Sequence, residues 1–298
     1  MPELHPPARR LIRVAVALPL VALACSPAQP ETGRKPATRV AAPDSVAFAP
    51  PADSLIPSDA AGRSIRRGLA LLVSTRDSLP DHVGGALQCV SCHPEAGRKP
   101  GAMPWVGVYA RYPQYRSRSA SVGLLEDRVN DCFLRSMNGK PLDPGGADMR
   151  DIVAYMAFLS RGVPVGAKVA GQGLTMLPAG IKGDSTRGAA LFPVTCARCH
   201  GPGGEGSAVY PPLWGARSFN IGAGMARVRT AAAFIRHNMP FDKPGTLTDQ
   251  QATDLAAYIT SQPRPDLPGK EKDWPEGGAP ADVPYRTLGA GAAAPTHR

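Results

Sequence analysis

Two stretches of the chain carry the same apolar period. In "DIVAYMAFLS" (151–160), Ile152, Tyr155, Met156 and Leu159 fall at helical spacing along one face. In "DLAAYITSQP" (254–263), Leu255, Tyr258 and Ile259 mark a second such face. Thr248 followed by Gln251 predicts a capping box where the later helix begins. Upstream, "RRGLALL" (66–72) and "TRGAALF" (186–192) form another matched pair, so the pattern is an internal duplication. Each half predicts an N-terminal helix, a Gly/Pro-rich loop, and a C-terminal helix crossing the first. The expected class is all-α, in two tandem domains.

The flanks lack this period. Arg9, Arg10 and Arg13 precede "VAVALPLVALA", which stops at Cys25, so residues 1–24 read as a signal peptide. The run falls short of the roughly 20 apolar residues needed to cross a bilayer. "ALAC" is similar to a lipobox, so a lipid anchor at Cys25 and plain cleavage after Ala24 are both open. Residues 25–58 are rich in Pro, Ala and small polar groups, and read as a flexible tether. Compact structure is expected over 59–163 and 185–263, with the five-glycine stretch 164–184 as linker. A Pro- and Gly-rich extension, 264–298, is expected to lie across the surface before fraying.

The formal charge is +10, with Lys and Arg dispersed along the chain. No recognition motif or aromatic ladder accompanies them, which argues against nucleic acid. Attraction to small anions or to an acidic redox partner fits better.

The loops hold the strongest signal. "CVSCH" (89–93) and "CARCH" (196–200) both spell Cys-x-x-Cys-His, the attachment signature of c-type haem, 107 residues apart. Cys89 with Cys92, and Cys196 with Cys199, can each reach the two vinyl groups of one porphyrin. His93 and His200 then stand as proximal iron ligands. Two tandem cytochrome c-type domains with two covalent haem c groups follow, and the linker is expected to pack on the haem edges. "GPGGEGS" (201–207) lacks the Walker lysine pattern and reads as a loop at a haem edge rather than a phosphate cradle.

Each iron then needs a second ligand. In the second half the candidates are Met239, Met225 and His237; Met239 sits 39 residues past His200, just before the last helix. In the first half the residue at the same offset is a cysteine: Cys132, 39 residues past His93. A thiolate there favours Fe(III), whereas a thioether favours Fe(II) and raises the potential. Met137 or Met103 as ligand, and a Cys25–Cys132 disulfide, are the alternatives. Arg128, Cys132, Arg135 and Ser136 fall on one helical stripe, and Arg111, Arg116 and Arg118 lie just upstream. So many cations around one thiol suit an approaching oxyanion.

"VGVYARYPQYRSRS", "NDCFLRSMNGKPL" and "SFNIGAGMARVRTAAAFIRHNMP" resemble the dihaem thiosulfate dehydrogenases of bacterial periplasms, a similarity running from about Gly62 to Arg286. The resemblance implies oxidation of two thiosulfates to tetrathionate and transfer of two electrons to a soluble or membrane acceptor such as a cytochrome c. It implies His93 and Cys132 on haem 1, His200 and Met239 on haem 2, and Cys132, Arg118, Arg128 and Ser136 as catalytic residues. Some members carry Lys just before the distal Met and exchange ligands with redox state; Asn238 stands there in this chain. A non-catalytic electron-transfer cytochrome or oxidase-linked subunit is the competing reading.

Overall fold

A computed structural model of the chain describes residues 45–289. The signal-peptide reading and Cys25 lie outside these residues. No helix among the described residues is long and apolar enough to cross a membrane.

Helices dominate, and the two halves are built alike. Ala60–Val73 crosses Ala147–Leu159, and Ser185–Thr195 crosses Asp249–Ser261. Both first helices begin on an aspartate: Asp59 accepts from the Gly62 N–H and Asp184 from the Arg187 N–H, each at 3.0 Å. The predicted Thr248–Gln251 capping box is present. At the two crossings the duplication reaches single atoms. A methyl group on Gly68 would lie 1.9 Å from the Asp151 carbonyl oxygen, and one on Gly188 would lie 2.1 Å from that of Asp254. Only glycine allows this approach. The preceding arginine bonds the same aspartate in each half, Arg67 to Asp151 at 2.5 Å and Arg187 to Asp254 at 2.7 Å. Ile152, Tyr155, Met156 and Leu159 are buried, as are Leu255 and Ile259. Burying such a side chain stabilises the fold by roughly 1.5–3 kcal/mol.

Three regions differ from what composition predicts. Structure begins before Asp59: Val46 and Phe48 pack on the first core, Ser45–Val46 pairs in parallel with Lys168–Val169, and Arg98 bonds the Pro51 carbonyl and Asp53. The 164–184 segment folds back on the first half, where Gly171 and Gly173 carbonyls accept from the Gly101 and Met103 N–H groups at 2.6 and 2.7 Å. The extension after 263 also does more than cover the surface, since Asp273, Trp274 and Val283 are buried. In each case a few apolar or aromatic anchors hold a stretch whose average composition suggests none. A hairpin, Gln114–Arg116 with Ser121–Gly123, interrupts the helices and presents Arg118 in its turn.

Candidate active site

The first half encloses a cavity lined by Cys89, Cys92, His93, Trp105, Cys132, Ser136 and Met137, among others. At its floor, Cys89–Ser91 forms a single 3-10 turn that brings both motif cysteines to one side. His93 Nδ1 lies 2.5 Å from the Met103 carbonyl oxygen. With the N–H at Nδ1, that bond leaves Nε2 as a lone-pair donor, the arrangement a metal-binding imidazole needs. Burial pushes the imidazole down to about pKa 4 despite the Met103 contact, so it stays neutral. His200 is held the same way, its Nδ1 2.8 Å from the Pro211 carbonyl oxygen. The donor set in the first cavity, an imidazole and three thiols, fits an iron porphyrin attached through thioethers. Met103 supplies the backbone oxygen behind His93, which puts it on the proximal side rather than opposite. Met137 shares the cavity with Cys132.

Cys132 sits where the helix changes winding. Leu125–Asp131 is α-helical, and Cys132–Ser136 continues as a π-helix, with the Met137 N–H reaching back to the Cys132 carbonyl at 2.9 Å. π-turns inside helices concentrate at functional sites. The wider turn frees carbonyl groups, and Asn220 of the second half takes one of them, its Nδ2 donating to the Leu134 oxygen at 2.7 Å. Asn130 braces the preceding turn through two bonds with Leu142, at 3.0 and 2.8 Å. Neither asparagine is conspicuous in sequence, because each acts through backbone atoms of a distant segment.

The five arginines of residues 111–140 separate into different environments. Arg128 Nη1 donates to the Cys132 sulfur at 2.8 Å, and the electrostatic pull of that sulfur, opposed by burial, holds the guanidinium above its ordinary range. Arg116 pairs with Asp131 at 2.9 Å. Arg135 leaves the predicted stripe, since the π-turn rotates it away from Cys132 onto Asp273, which it grips at 2.9 and 2.8 Å. Arg118 donates to the Gly222 carbonyl at 2.8 Å, stacks over Trp274 at 4.5 Å, and approaches Asp273 only to 3.7 Å. Burial and the neighbouring Arg135 together push it down to about 10. It remains a cation at neutral pH. Arg118, Arg116, Arg135 and Lys272 line a cleft on the opposite side of the Cys132 helix, together with Asp127, Asp131 and Asp273. The structure therefore groups Cys132, Arg128 and Ser136, and sets Arg118 in the adjoining cleft.

In the second half Cys196 and Cys199 flank the turn that ends in His200, and Met239 follows directly after helix Val228–Asn238. Met225 packs against both cores and Met239 against the second. Asn238 is buried and bonds the Phe234 carbonyl at 3.1 Å.

Residues 84–165 match the family described as SoxA/TsdA, cytochrome c domain, and residues 183–259 match cytochrome C oxidase, cbb3-type, subunit III. The thiosulfate dehydrogenase of Allochromatium vinosum is 45% identical over 233 residues, covering 75% of this chain and 86% of the relative. The chain belongs to the thiosulfate dehydrogenase family. That of Psychrobacter arcticus is 43% identical over 239 residues, covering 78% of this chain and 73% of its own. Among solved structures, the thiosulfate dehydrogenase (TsdBA) from Marichromatium purpuratum aligns with a TM-score of 0.72 at 38% identity. The match covers 74% of this chain and 50% of that longer one. As a member of this family the protein is an oxidoreductase, and its two cytochrome c domains imply haem c as cofactor.

Proposed function

We propose that the chain is a periplasmic enzyme that joins two thiosulfates into tetrathionate, with Cys132 as the reacting sulfur. Cys89 and Cys92 would carry one covalent haem c, and Cys196 and Cys199 the other. His93 and Cys132 would ligate the first iron, and His200 and Met239 the second. When bound, the haems supply two one-electron acceptors, the thiolate-ligated one at lower potential than the thioether-ligated one.

The observation that carries this reading is the 2.8 Å contact from Arg128 to Cys132, a residue that lines one cavity with His93. That guanidinium forms no ion pair with a carboxylate among the described residues and points one N–H at the sulfur, a setting suited to a reactive cysteine. Arg118 adds a second, largely covered cation in the cleft across the helix, where it can draw a sulfur oxyanion toward this part of the molecule. Ser136 offers a hydroxyl beside the sulfur.

The Cys132 sulfur bonds to the outer sulfur of one thiosulfate as two electrons depart, giving a cysteine S-thiosulfonate. The outer sulfur of the second thiosulfate attacks the adjacent sulfur of that adduct, as in disulfide exchange, and the Cys132 thiolate leaves. Two thiosulfate dianions become one tetrathionate dianion, and two electrons go to the acceptor, a soluble or membrane-bound cytochrome c. Export rests on the basic and apolar segment 1–24, with Cys25 as the candidate lipid anchor.

Mixing the holoprotein with thiosulfate and ferricyanide tests the proposal. The expected result is loss of two ferricyanides for each tetrathionate formed. A protein with both haems loaded and no turnover would be an electron carrier only.

A further inference from the structure

The C-terminal extension reaches the two arginines that frame the anion cleft and treats them differently. Asp273 is fully engaged: Arg135 donates to both its oxygens, and the Tyr285 hydroxyl donates to Oδ2 at 2.6 Å. Trp274, the next residue, offers its ring to the Arg118 guanidinium at 4.5 Å, while its backbone N–H donates to the Arg118 carbonyl at 2.8 Å. Trp274 holds this position with a φ of 52°, a left-handed conformation that a bulky side chain rarely adopts. The Gly222 carbonyl steadies the guanidinium from the second half. The consequence is a division of roles. One cation is neutralised, and its neighbour is kept 3.7 Å from the same carboxylate, with donors to spare.

We infer that Asp273, Trp274 and Tyr285 are positioning residues for the substrate arginine: the indole, and the three bonds Asp273 already accepts, hold Arg118 at a long 3.7 Å ion pair short of a hydrogen bond, and so keep its donors ready for thiosulfate. This rests on the function proposed above. Without the indole, the guanidinium can pivot the short distance onto Asp273 and lose its pull on an anion. Without the Tyr285 hydroxyl, Asp273 Oδ2 has one acceptor site more to offer, and draws Arg118 toward the same end with a smaller effect.

The test uses full-length holoprotein and thiosulfate itself, with ferricyanide as oxidant. Trp274→Leu should raise KM for thiosulfate about tenfold, equivalent to ~1.4 kcal/mol, with kcat within twofold of wild type. The absorbance spectrum of the first haem should stay unchanged. Trp274→Phe keeps an aromatic face and should restore KM to within about twofold. Tyr285→Phe changes one atom, and should raise KM about threefold even if Trp274→Leu fails to load haem. A loaded Trp274→Leu or Tyr285→Phe protein with wild-type KM overturns the inference, as does an equal fall in kcat that Trp274→Phe does not repair. An inert wild type would instead sink the functional reading, and this inference with it.

Discussion

The two halves share helices, crossings and cysteine motifs, and differ sharply at the residue 39 positions after each motif histidine. In the second half, Met239 follows a helix that simply ends, in extended backbone. In the first, Cys132 sits at the start of a π-turn, its sulfur bonded to Arg128 and the surrounding backbone tied down by Asn130 and Asn220. A thioether needs no counter-charge, and little is built around it. A thiolate needs a cation close by and a fixed geometry, and the first half supplies both. The difference teaches that one duplicated scaffold can hold a thioether at a helix end in one half and a cysteine against a guanidinium in the other, with the crossed helices kept.

Making the halves alike is the most severe way to break that comparison. Cys132→Met should abolish tetrathionate formation, by at least 100-fold, while raising the potential of the first haem toward that of the second. A combined turnover assay and redox titration reads both. Retained turnover would remove the sulfur of residue 132 from the chemistry. A milder change strips only the charge: Arg128→Met should cut kcat by roughly 10- to 100-fold and shift the sulfur-to-iron absorbance of the oxidised protein, leaving the second haem's spectrum as it was.

The smallest expected effect concerns the shared frame. Burial pushes the Asp254 carboxyl up, but Arg187, the Asp184 N–H and the Gln250 amide outweigh it and hold the group below the usual carboxylate range. Because its folded value lies below the unfolded one, its contribution is present above about pH 4 and disappears as pH falls through the folded value. Asp254→Asn should cost about 1–2 kcal/mol at pH 7, given that Arg187 is half exposed. Denaturant melts of wild type and variant should converge below pH 4.

Much of this was legible in the sequence. The cysteine motifs, the paired helices with their apolar faces, the Thr248 cap and the equal offsets of Cys132 and Met239 all follow from short-range rules, because local geometry dictates them. The arginines were legible as a group but not individually. The partners of Arg118 and Arg135, Gly222 and Asp273, lie more than 100 residues away, and the π-turn breaks the periodicity that placed Arg135 beside Cys132. Residues 45–58, the 164–184 segment and the extension after 263 escaped for another reason. Val46, Phe48 and Trp274 are single anchors in stretches whose mean composition argues against order, and no window average registers them.

The bond from Asn220 to the Leu134 oxygen also limits how far the amino-terminal unit can be treated as a portable module. Cut loose from its twin, that unit would surrender the oxygen to solvent and lose the clasp that favours the wide winding. A return to ordinary α-helical pitch would swing the downstream side chains around the axis by tens of degrees. Gene fusions or chimaeras that exchange one lobe for a foreign cytochrome would inherit a displaced Arg135 and Ser136.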